Sequence, residues 1–120
     1  VKASDLNPAE INALIAEKVM GWVLRRKNGY QSWHEEDSVG SVRKTLVYKW
    51  RPSTSIADAW KVVEKMREIG FILGTGETFG KPCMWFRDGY EDDCRYGYAD
   101  GPSDPMNICL AALRAKGVIE

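Results

Sequence analysis

SIADAWKVVEKMREIGFIL, residues 55–73, decides the fold class, because a capped amphipathic helix gives way directly to an apolar strand. Ser55 stands where a helix needs a side-chain acceptor for its first N–H groups, and Asp58 sits three residues on. Ile56, Ala59, Trp60, Val63 and Met66 recur at helical spacing and are expected to form the buried stripe. Gly70 stops the helix, Phe71-Ile72-Leu73 reads as a short strand, and Gly74-Thr75-Gly76 reads as a flexible turn.

Toward the N terminus, Asn7-Pro8-Ala9-Glu10 carries a helix start: a cap, a proline at the first position and a glutamate able to reach back. Ile11, Leu14, Ile15, Lys18, Val19 and Trp22 follow at helical spacing, and Gly21 is placed to end the helix in a left-handed conformation. Trp22 to Arg26 then reads as a strand. Lys27 to Gly40, KNGYQSWHEEDSVG, is polar and turn-rich, and is expected to be a long surface loop or irregular hairpin. Val42 to Trp50 reads as a strand with Leu46, Tyr48 and Trp50 on one face.

Toward the C terminus, Cys83 to Arg87 and Cys94 to Tyr98 are expected to pair antiparallel around the acidic turn Asp88 to Asp93. Asp104 is expected to cap a last helix with Pro105 at its first position, and Gly117 to end it. Ile108 to Leu113 is apolar around much of the circumference, so this helix is expected to be buried on more than one side. The order of elements gives an α+β architecture: one domain over residues 1–120, with three helices and about five strands, antiparallel sheet layered between helices.

A chain of 120 residues with 44% hydrophobic content supports one core. Seventeen Lys+Arg balance seventeen Asp+Glu, which argues against a DNA or RNA polymer as partner while leaving room for a local basic pocket. Val1 to Asp5 show neither a basic nor an apolar leader region, and no apolar run reaches the ~20 residues a bilayer demands, so neither export nor a membrane partner is expected. Cys83, Cys94 and Cys109 match no metal or redox spacing and read as free thiols.

Three blocks carry a resemblance: INALIAEKVMGWVL at 11–24, PSTSIADAWKVVEKM at 52–66 and PMNICLAALRAKG at 105–117. Together they resemble the phage ABA sandwich domain, whose members read AEKVMGW, then PSTDIAAAW with VVEK, then AICLAAL. Ser55 stands where the family often has aspartate, and either residue caps a helix. The resemblance extends to Thoeris anti-defence proteins. It implies a homo-oligomeric phage sponge that sequesters a cyclic nucleotide immune signal, a cyclic ADP-ribose isomer or cyclic oligonucleotide, in the cytoplasm of the infected bacterium, without degrading it.

Such a ligand needs cations for its phosphates, an aromatic surface for its base and donors for its ribose hydroxyls. Arg25 and Arg26, with Lys27, follow the first strand, and Arg43 opens the next; a guanidinium fork holds phosphate oxygens two at a time. These three arginines are the candidate phosphate binders, with Phe79, Trp85 and Tyr96 as candidate adenine or ribose contacts. Arg87 and Arg95, on neighbouring strands, are a further cationic pair. Gly74 to Gly76 and Gly97 to Gly101 are weaker phosphate cradles, since neither matches a nucleotide-binding fingerprint. His34-Glu35-Glu36-Asp37 reads as a solvated acidic loop, so no catalytic residue, metal ligand or cofactor is assigned and the chain reads as a binder rather than an enzyme. The rival reading is a phage accessory module that grips a protein through the 27–40 segment and has no nucleotide ligand.

Overall fold

A computed structural model describes residues 1–120, and the fold is α+β, with three α-helices and six strands in two antiparallel sheets. Helix α1, Pro8–Leu14, opens on a reciprocal cap: Asn7 Oδ1 accepts from the Glu10 N–H at 2.8 Å, and Glu10 accepts from the Asn7 N–H at 3.2 Å. It runs on into one π-helical turn, Ile15–Val19, and ends at Gly21, whose φ of +73° lets the Trp22 N–H reach back to the Ala16 carbonyl at 2.9 Å. That bond seats Trp22 in the core, where it meets Trp50 edge-on with ring centroids 4.7 Å apart.

Strands β1, Val23–Lys27, β2, Tyr30–Glu36, and β3, Ser41–Leu46, make the first sheet in that order. The 27–40 segment is therefore the irregular hairpin of the two expected alternatives, mostly strand, rather than a long surface loop. Asn28 and Gly29, at φ +52° and +80°, form the tight turn that joins β1 to β2. The expected strand to Trp50 stops at Leu46; a short 3-10 turn, Val47–Lys49, then drops Trp50 into the core and leaves Tyr48 exposed.

Helix α2, Ile56–Glu68, is capped by Ser55, whose hydroxyl accepts from the Asp58 N–H at 3.3 Å. Its buried stripe is Ala59, Val62, Val63 and Met66, whereas Ile56 and Trp60 are about half exposed, at 48% and 47%. The expected core role of Trp60 is thus corrected: it lies about 100° around the helix from Ala59, on the solvent side.

Strands β4, Ile72–Thr78, β5, Lys81–Arg87, and β6, Tyr96–Ala99, form the second sheet. The β5–β6 pair is antiparallel as expected, with Phe86 opposite Gly97. Gly74 and Gly76 are not a flexible turn but interior positions of β4, because the Trp85 indole lies across them: a Cβ at Gly74 would sit 2.0 Å from that ring.

Helix α3, Asp104–Ala115, packs on β5 and β6 and is backed by α1 and α2. Its N-cap is Ser103 rather than Asp104, which instead places a carboxylate in the first turn against the helix dipole. Ile108, Cys109, Ala111, Ala112 and Leu113 are all buried within the chain, so the apolar helix gives no argument for self-association. Burial pushes the Cys109 thiol up, away from reactivity. No helix is long and apolar enough to cross a membrane.

Candidate functional site

The open face of the β1–β2–β3 sheet carries a cleft of about 720 Å3, within the range of small-molecule sites. Antiparallel register explains its lining. Arg25 is opposite Ser32, Lys27 opposite Tyr30 and Val23 opposite His34, and directly opposed residues share a face. Simple alternation from Leu46, which faces Ser32, would turn Arg43 to the other side. A β-bulge between Trp33/His34 and β3 changes this: Trp33 pairs Thr45 but His34 pairs Arg43, so the bulge aims Arg43 into the cleft. Lys44 instead pairs with Glu35 at 2.8 Å.

Arg25, Arg26, Lys27 and Arg43 line this cleft together with Tyr30, Ser32, His34 and Ser41, and no carboxylate is among the lining residues. Arg25, Lys27 and Arg43 on this side, with Glu36 paired to Arg25 as the carboxylate beside them, leave a net positive surface that favours phosphate or another oxyanion. Arg25 is ion-paired to Glu36, and Arg26 is held by Gln31, whose amide oxygen accepts from Nε at 2.9 Å in the amide orientation that satisfies both groups. Lys27 and Arg43 have no ion-pair partner. The floor is a hydrogen-bonded chain: Ser32 Oγ to His34 Nε2 at 2.9 Å, and His34 Nδ1 to Ser41 Oγ at 2.9 Å.

The three arginines singled out as phosphate binders thus meet in one cleft, but the other candidates do not join them. Phe79, Trp85, Arg87, Arg95 and Tyr96 belong to the second sheet or its flanking turns. Arg87 donates to the Gly89 carbonyl at 2.5 Å and lies 4.7 Å over the Tyr90 ring; Arg95 bonds Asp88 at 2.7 Å and lies 4.8 Å over Phe71. Both guanidiniums are spent on the 88–95 turn. The Arg95 side chain holds the Asp88 carboxyl below the usual carboxylate range, as a donated hydrogen bond to the ionised form must.

Sequence reasoning missed Tyr30, Ser32 and Ser41, and placed His34 in a solvated loop. The Asn28-Gly29 dipeptide was the signal that could have found them, since a two-residue hairpin there fixes which residues oppose Arg25. The weaker glycine cradles also dissolve: Gly97 is pressed against α3, and Gly74 and Gly76 lie against Trp85. No group of three or more His, Cys, Asp or Glu side chains converges to hold a metal ion, the 34–37 run included.

The family model of the phage ABA sandwich domain matches residues 13–113. Among solved structures, a phage protein from Bacillus cereus ATCC 14579, determined at 2.0 Å, is similar over 96% of this chain and 92% of its own, with a TM-score of 0.59 and 24% identity, a likeness of fold. Curated protein sequences yield no match.

Proposed function

Because the chain belongs to the phage ABA sandwich domain family, we propose that it is an anti-defence protein whose cleft binds and sequesters a cyclic nucleotide immune signal without degrading it. The observation that carries this reading is the convergence of Arg25, Arg26, Lys27 and Arg43 on one cleft with no carboxylate among its lining residues. In it the arginines and Lys27 take the phosphates, Tyr30 offers the aromatic surface within reach of them, and Ser32 and Ser41 supply hydroxyl partners for the ligand's oxygens. Incubating the protein with cyclic ADP-ribose isomers and cyclic di- and trinucleotides, then heat-denaturing it, is expected to return the bound compound intact. Recovery of a linear or hydrolysed product would make the protein an enzyme instead.

The sequestering form is a homo-oligomer in this reading, and Phe79 supports it. Phe79 and Gly80 turn β4 into β5 at φ +52° and +78°, the same geometry that Asn28 and Gly29 adopt. Asparagine adopts that conformation at far less cost than phenylalanine, yet Phe79 is 100% exposed and gains nothing from its own chain. Such a residue suits contact with a second copy. Phe79→Asn is expected to stabilise the isolated chain by about 0.5–1 kcal/mol in urea denaturation and to shift sedimentation toward monomer. Unchanged sedimentation of an oligomer would clear Phe79 of that role.

A further inference from the structure

We infer that Ser32, His34 and Ser41 form a proton-linked donor relay in the floor of the cleft, coupling anion capture to protonation of His34. The inference rests on reading the cleft as an anion site.

The geometry that carries it is the double engagement of one imidazole, with a serine hydroxyl 2.9 Å from each ring nitrogen. A neutral imidazole has one N–H and one bare nitrogen. One serine must therefore turn its O–H toward the ring and show the cleft only lone pairs, which repel an oxyanion. The other accepts the ring N–H and keeps its O–H for the cleft. A protonated ring donates on both sides, so both hydroxyls turn outward. Uptake of one proton thus converts the floor from one outward donor to two and adds a positive charge.

The surrounding charges decide when this happens. Arg25 and Lys27 face the ring's side of the sheet from β1, Arg43 faces it from β3, and Glu36, itself paired with Arg25, and Tyr30 face it from β2; Arg26 completes the lining. Cations outnumber the carboxylate on this side, and an oxyanion seated among them places negative charge beside the ring, which favours the imidazolium. Binding should then draw a proton onto His34, and by linkage a lower pH should tighten binding by the same factor.

His34 is the only histidine, so a chain labelled with 15N-histidine reports one imidazole. Sodium sulfate is the probe, because its charge stays constant across the range in which imidazole titrates, about pH 5 to 8. At constant ionic strength, sulfate is expected to raise the His34 titration midpoint by about one pH unit and to bind about tenfold more tightly at the acid end. In His34→Gln, which keeps hydrogen bonding without the charge, sulfate affinity should not vary with pH. Sulfate binding that leaves the His34 titration unmoved, or a wild-type pH dependence in His34→Gln, overturns the relay while the cleft stands. Absence of any sulfate-induced shift at every pH overturns the relay together with the reading of the cleft on which it rests.

Discussion

Gly97→Ala is expected to destabilise the protein by about 3–5 kcal/mol, a large part of the total stability of a domain this size. A Cβ at Gly97 would sit 2.1 Å from the Ala111 carbonyl oxygen and 2.2 Å from the Ala115 backbone nitrogen. Both are helix backbone, so no side chain can swing aside. Helix α3 cannot retreat either, because α1 and α2 back it. Gly76→Ala serves as the control: there the added Cβ meets its nearest neighbour at 3.6 Å, ordinary contact, and alanine also restricts the unfolded chain. Urea denaturation should separate the two variants widely. Equal stabilities would mean that α3 does not lie on β6 as described.

Arg43→Glu combined with Lys27→Glu is expected to weaken binding of the cyclic nucleotide at least a hundredfold. A hydrogen bond to a charged group contributes about 1.5–3 kcal/mol, and each 1.4 kcal/mol is a factor of about ten. Losing two such bonds and introducing two repulsive carboxylates exceeds that factor. Stability should change by no more than about 0.5 kcal/mol, since both side chains lie at exposed positions and neither has an ion-pair partner. The split between intact folding and lost binding distinguishes a ligand site from a structural patch. The protein-grip reading predicts instead that nucleotides never bind and that the same variant releases a protein partner.

The helices were legible because capping and periodicity are local. Asn7-Pro8 with Glu10, and Ser55 with Asp58, make the caps their spacing implied. The fold family was legible in the three blocks, and the family match spans residues 13–113. What failed was nonlocal. Trp60 shares the apolar character of its helix, yet which side of α2 is covered depends on where α3 and β4 pack against it. Strand β2 hid because both its faces are largely polar, Trp33 being its one large buried side chain, so no hydrophobic alternation marked it. Gly74 and Gly76 read as turn residues because the indole that needs their missing side chains comes from another strand.

The candidate site was half legible for the same reason. Arg25 and Arg43 flank one segment in sequence, which suggested a common location, and the bulge at Trp33/His34 is what places Arg43 on the cleft side. Bulges leave little trace in a single sequence. Arg87 and Arg95 looked equivalent to them, but their partners Gly89, Tyr90, Asp88 and Phe71 come from the turn between strands and from the residue before β4.

Calorimetric titration of the wild type and of the Arg43→Glu, Lys27→Glu variant, side by side, with the panel of cyclic ADP-ribose isomers and cyclic di- and trinucleotides tests the central claim most directly. Sequestration in competition with a receptor calls for nanomolar affinity, about −12 kcal/mol. The predicted result is tight binding of at least one member by the wild type and loss of that binding in the variant. Heat of equal size and affinity from both proteins, or none from the wild type with any member, would contradict it.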